Sequence, residues 1–110
     1  MSAILDDETL DVLIEAIGED GARAVIELFL GECRELAAAI AAPGAERNAI
    51  GRTAHSLKSS AGQLGALALS EAALAVETAA QADSPELPQL IAALSECAVE
   101  TRTALAERLK

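Results

Sequence analysis

Aromatic residues are almost missing from this chain: Phe29 stands alone, with no tryptophan and no tyrosine. β-Sandwiches and barrels fill their pleated surfaces with aromatic and β-branched side chains, so an all-β fold is disfavoured. Platforms that stack nucleobases need ring faces, and these are absent too. Positive charge is also scarce. Eight basic residues stand against 18 acidic ones among 110, for a formal net charge of −10. Such a surface repels a phosphate backbone, and no nucleic-acid partner is expected. No run of about 18 apolar residues exists, so no membrane span is expected. The start, Met1-Ser2-Ala3-Ile4-Leu5-Asp6-Asp7-Glu8, has no basic segment ahead of an apolar stretch and is not a secretory signal. Cys33 and Cys97 lie far apart and form no CxxC pair, so they read as reduced thiols of a cytoplasmic protein. One histidine and two scattered cysteines do not make a metal site, and no cofactor is expected on this chain.

What remains is a helical composition. Hydrophobic residues make up 52% of the chain, too many for a disordered acidic tail. Much of that share is alanine, a small helix former, so the core is thin. The mix of Ala, Leu, Glu and Arg favours an all-α domain, and the length allows one domain over residues 1–110. Helical spacing appears in five segments. The first runs from about Asp7 to Ile17, with Leu10, Leu13, Ile14 and Ile17 on one stripe, a cap at Asp6 or Asp7, and Gly18 at its end. The second runs from about Asp20 to Ala41, with Val25, Phe29, Leu36 and Ile40 in register, and stops before Pro43-Gly44. The third runs from about Glu46 to Leu64 with Ile50, Ala54, Leu57, Ala61 and Leu64 on one face, and Gly65 ends it. The fourth runs from about Ala66 to Ala82. The fifth starts near Pro85 or Pro88, continues to about Leu109, and carries the stripe Leu87, Leu90, Ile91, Leu94, Ala98, Thr101 and Leu105. Short connections make neighbouring helices antiparallel. The expected architecture is an antiparallel up-down four-helix bundle with an additional short N-terminal helix laid over one end.

The third helix carries the chemistry. At about 100° per residue, His55 points roughly 140° away from the apolar stripe of its own helix. Its neighbours on that face are Asn48, Gly51, Lys58, Ser59 and Gly62, and none of them is large and apolar. Glycine inside a helix is destabilising by about 1 kcal/mol relative to alanine, so Gly51 and Gly62 mark a face where bulk is avoided. Between Arg47 and Ser70 there are three basic residues, Arg47, Arg52 and Lys58, and no acidic one. An imidazole here sits in a locally positive strip of a negative chain, with Lys58 one turn away. Imidazole is nucleophilic and titrates near neutrality, and a nearby ammonium would offset an added phosphoryl group. A lone exposed histidine is ordinarily just a solvated side chain. The conjunction of histidine, small neighbours and basic strip is what marks this one.

The stretch Ala54-His55-Ser56-Leu57-Lys58-Ser59-Ser60-Ala61-Gly62-Gln63-Leu64-Gly65-Ala66 resembles the phosphoacceptor segment of histidine-containing phosphotransfer (HPt) domains, whose pattern is roughly A-H-x-L-K-G-x-x-x-x-L-G-A. Ser59 stands where the family has glycine. Phe29-Leu30 looks like the family's Phe-Leu pair, and Leu74 to Glu77 like its Leu/Glu stretch. The resemblance implies a phosphorelay intermediate of two-component signalling. His55 would take a phosphoryl group from one receiver-domain aspartyl phosphate and pass it to another receiver aspartate. Lys58 would steady its charge. Gly62 and Ser59 would let a receiver approach, with Gly51, Arg52, Gln63 and Leu30 completing the docking face. The partners would be response-regulator receiver domains and a hybrid sensor kinase. Any Mg²⁺ would sit on the receiver, and the chain would have no kinase activity of its own.

Counting back from a turn at Gly65-Ala66 puts Glu77 opposite His55, where a carboxylate would accept the other ring N–H. The alternative for Glu77 is a solvated position or a pair with Arg52. Two other functions compete. The dimerisation segment of a histidine kinase has an acidic residue after its histidine and a nearby proline. Here Ser56 follows His55, and no proline lies between Pro43 and Pro85. A helical adaptor with an incidental histidine is the other. The short acidic amino terminus and the charged Arg108-Leu109-Lys110 end favour a free-standing protein over an excised domain of a larger hybrid kinase, and a monomer is expected.

Overall fold

The computed structural model describes residues 3–110, and their regular elements are helices: α1 (Asp7–Ala41), α2 (Arg47–Gln63), α3 (Leu67–Gln81) and α4 (Leu87–Arg108). Each helix packs on two others, α1 on α2 and α4, and α3 on α2 and α4, which closes a four-membered ring. The bundle is the expected one, and the turn chemistry explains its corners. α2 ends in a Schellman motif with Gly65 in the left-handed region (φ 74°), the Ala66 N–H donating to the Ala61 carbonyl at 2.8 Å. α3 ends the same way, with Asp83 (φ 53°) in the glycine position and the Ser84 N–H on the Ala79 carbonyl at 2.9 Å. Aspartate tolerates that conformation better than most side chains. Pro88 sits in the first turn of α4, where its missing N–H leaves no bond unmade.

The short first helix and the long second one expected from the spacing are joined end to end. They follow each other without a loop as α1, but Gly18 leaves the helical region (φ 81°, ψ 168°) and kinks the chain there. The arm before Gly18 lies over the α2–α3 turn. The Asp6 N–H donates to the Gly65 carbonyl at 2.7 Å, and the Ala68 N–H donates to the Ala3 carbonyl at 3.2 Å. Asp6 also caps the arm, accepting from the Glu8 N–H at 3.2 Å and the Thr9 hydroxyl at 2.8 Å. Arg108 at the end of α4 holds Asp7 and Asp11 from the other side. Leu10 alone of the arm's apolar residues is fully buried, while Leu13 and Ile14 are half-buried and Ile17 is exposed.

The core runs through all four helices, with Leu57, Leu69, Val76, Leu94 and Leu105 fully buried. The stripes of α2 and α4 are those the spacing predicts. The stripe of α1 is not. Ala22, Ile26, Phe29, Cys33, Ala37 and Ile40 face inward, whereas Leu36 is half-buried and Val25 is 37% exposed. Half of the true stripe is alanine or cysteine, so larger apolar residues one position away dominate the periodicity. Burial pushes the Cys33 thiol up and keeps it in the neutral form, as a core residue.

Gly65 tests how the lid is seated. A Cβ there would stand 2.8 Å from the Thr9 Cβ and 3.1 Å from the Asp6 carbonyl oxygen, whereas a Cβ on Gly44, also at positive φ, meets nothing. Gly44→Ala should therefore destabilise by about 1 kcal/mol, the backbone effect alone. Gly65→Ala should destabilise by about 3 kcal/mol, because overpacking adds to it. Denaturant midpoints of the two variants measure the difference.

Candidate functional site

His55 projects from the middle of α2 on the side away from the bundle axis, and its side chain is 60% exposed. Nδ1 lies 2.7 Å from Oε2 of Glu77 on α3. The other carboxylate oxygen, Oε1, accepts from the Lys58 ammonium at 2.9 Å. Glu77 is only 8% exposed, so one buried carboxylate bridges the histidine and the lysine. The pairing follows from helix geometry. His55 and Lys58 are three residues apart on one face of α2, and the antiparallel α3 brings Glu77 between them. The alternative pairing with Arg52 does not occur.

Ionised Glu77 is favoured. The Lys58 hydrogen bond holds its carboxyl below the usual range, burial opposes this, and the bond to His55 adds to the lowering. A buried carboxylate with two charge-assisted or polar partners is satisfied, and no buried side-chain polar atom among the described residues lacks a partner.

The glycines flanking His55 serve the helix pair as well as the surface. Gly51 and Gly62 face α3, where an added Cβ would come within 3.6 Å of the Ala80 Cβ and of the Ser70 hydroxyl. Both are ordinary van der Waals contacts, so the glycines leave the seam beside Glu77 open rather than set the helix spacing. The Ser70 hydroxyl donates to the Lys58 carbonyl at 3.1 Å and ties the two helices beside the bridge. Ser59 and Gln63 are exposed on the outer face of α2, as the motif implies.

Two expectations change. The basic strip is largely compensated: Arg47 pairs with Asp83 at 2.7 Å and Lys58 with Glu77, both partners coming from the α3 side. Arg52 alone of the three has no ion-pair partner among the described residues. Leu30 does not join the His55 face. It is half-buried and lies two helical turns beyond Arg23, whose guanidinium bonds the Leu109 carbonyl, so it is on the side of α1 turned to α4. The exposed apolar residues of α1 that border α2 are Val25 and Leu28, and Leu28 is 77% exposed. With Phe29, Leu64, Ser60 and Gln63 they line an open groove between the helices. The error is one of register, since two residues along a helix is about 200° of rotation. The signal available was an apolar arc on α1 wider than one buried face requires.

A model of the Hpt domain matches residues 24–108, more than three quarters of the chain. The chain belongs to the Hpt domain family. Hpt proteins are phosphotransfer carriers of two-component phosphorelays that work with response-regulator receiver domains and kinases, and this chain is such an intermediate. Among solved structures it is similar to histidine-containing phosphotransfer protein B from Pseudomonas aeruginosa PAO1. The TM-score is 0.90 and the identity 23%, over 99% of this chain and 96% of that one. At that identity the likeness shows the fold. No curated protein matches the chain. Among the described residues no helix is long and apolar enough to cross a membrane.

The bridge has a pH signature. Because the folded pKa of Glu77 is lowered, its stabilisation is present above the usual carboxylate value of 4.5 and lost as pH falls through the folded value. Glu77→Gln should be less stable than the wild type at pH 7 by about 2 kcal/mol. That gap should close on acidification as the wild-type carboxyl protonates. Denaturation of both proteins between pH 7 and pH 3 measures it.

Proposed function

We propose that His55 is the phosphoacceptor and carries the phosphoryl group on Nε2. The observation that supports this is the 2.7 Å bond between Nδ1 and a buried, ionised carboxylate beside an exposed ring. Ionised Glu77 accepts only, so Nδ1 bears the proton and donates. A neutral ring with its proton on Nδ1 has its free lone pair on Nε2, on a side chain that is 60% exposed. Glu77 acts as a positioning residue, and Lys58 positions Glu77.

Transfer from a receiver then needs few parts. The Nε2–P bond forms as the P–O bond to the aspartyl carboxylate breaks. The ring supplies the electron pair, the aspartate leaves as a carboxylate, and the Nδ1 proton stays in place. The ring becomes cationic next to ionised Glu77, which stabilises it. No proton moves, so one aligned nucleophile suffices and positioning carries the reaction. The reverse step delivers the group to a second receiver.

The receiver is assigned to the outer face of α2, over His55, Ser59 and Gln63, with Val25 and Leu28 of α1 as the apolar flank. A net charge of −10 makes an apolar contact with a polar rim a better anchor than charge attraction to an acidic phosphorylation pocket. In this reading Mg²⁺ belongs to the receiver's acidic pocket, the chain has no kinase activity, and it works as a cytoplasmic monomer with one domain over residues 1–110.

His55→Gln should take up no acid-labile label from a phosphorylated receiver, and label retained by this variant would remove His55 from the role. Leu28→Asp should raise the receiver Kd about tenfold, equivalent to about 1.4 kcal/mol, with an unchanged melting temperature. Titration with a receiver domain and a thermal scan check the two halves.

A further inference from the structure

The bridge leaves a charge uncompensated once His55 is phosphorylated. Glu77 and Lys58 neutralise each other before the reaction. Phosphorylation adds two negative charges on the phosphoryl oxygens and one positive charge on the ring, so the site gains a net negative charge in an already acidic chain. The Lys58 ammonium is bonded to Glu77, on the Nδ1 side of the ring, and the phosphoryl group sits on the opposite nitrogen. Arg47 is held by Asp83. Arg52 is one turn before His55 on the exposed surface of α2, and no carboxylate among the described residues pairs with it. Arg52 and His55 line the same open groove of about 520 Å³, with Asn48 and Ser56 beside them.

We infer that Arg52 is the cation that contacts the phosphoryl group on His55, and that its part in docking a receiver is secondary. This rests on His55 being the phosphoacceptor. Guanidinium suits the task, since its planar array of donors matches phosphoryl oxygens and keeps its charge at any working pH. The long side chain on an exposed helix face is free to swing onto the group after transfer and away before the next receiver docks. The division of labour is then by ring nitrogen: Glu77 and Lys58 serve Nδ1, and Arg52 serves what is bound to Nε2.

The test loads the full chain from phosphoramidate, a small donor that needs no docking surface, and follows the phosphohistidine by ³¹P NMR between pH 5.5 and pH 9. A cation against the phosphoryl oxygens offsets their hold on the ring proton and lowers the midpoint of the phosphoimidazolium N–H ionisation, which the phosphorus shift reports. Arg52→Gln should raise that midpoint by about one unit, which is tenfold in proton affinity. Arg52→Lys should stay near the wild type. Arg34→Gln, which removes an exposed arginine of α1, should not move it. A wild-type midpoint in Arg52→Gln overturns the inference, even if transfer from a receiver is slowed, because that combination makes Arg52 a docking residue only. A wild-type chain that takes no label from phosphoramidate or from a phosphorylated receiver overturns the phosphoacceptor reading and this inference with it.

Discussion

The whole site depends on one buried carboxylate. Glu77 sits between α2 and α3 with one oxygen on Lys58 and the other on His55. A charge in that position is tolerable only because both oxygens are used. The same two bonds align the imidazole, choose its tautomer and hold the lysine beside it. An ionised carboxylate can only accept, so the bond from His55 places the ring proton on Nδ1.

That arrangement needs α3 packed along α2, and the seam beside the bridge is lined by small side chains. Gly51 stands beside Ala80 and Gly62 beside Ser70, which leaves the seam open next to the bridge, while Leu57, Leu69 and Val76 fill the core beneath it. Small residues make a thin core, and the fold compensates with connectivity. The lid arm of α1 ties the α2–α3 turn to the end of α4, through backbone bonds at Gly65 and Ala68 and through Arg108. Rigidity at this end keeps α2 and α3 in register, and register is what brings Glu77 opposite His55. The functional face is left clear, because every one of these braces lies inside the bundle or over its end.

Charge in this protein is arranged by sign and by distance. In a chain with a net charge of −10, several basic residues are individually engaged: Arg108 with the lid, Arg47 with the α3–α4 turn, Lys58 in the bridge. Arg52 is the exception beside the histidine. A strip that reads as positive in one dimension is therefore close to neutral in three, with a single cation in reserve. The exposed part of the α1–α2 groove is apolar instead, at Val25 and Leu28.

Much of this was legible in the order of residues. Helical periodicity is local, so the elements, their ends at Gly18, Gly65 and the prolines, and the inward faces of α2 and α4 follow from spacing alone. The motif around His55 is local too, and turn counting even placed Glu77 across from it, because a tight turn between antiparallel helices mirrors residue numbers. The stripe of α1 was misread because Ala22, Cys33 and Ala37 weigh little in a pattern that Val25 and Leu36 also enter. Leu30 was misplaced because which side of a helix meets which neighbour is a property of the packed ring. Composition and local pattern thus determined a helical bundle with an outward histidine. Only the packing decided which cations are consumed by carboxylates from another segment, which leucine of α1 is left exposed, and which ring nitrogen is taken by Glu77. Those are distances between segments remote in the chain, and side-chain periodicity carries no information about them.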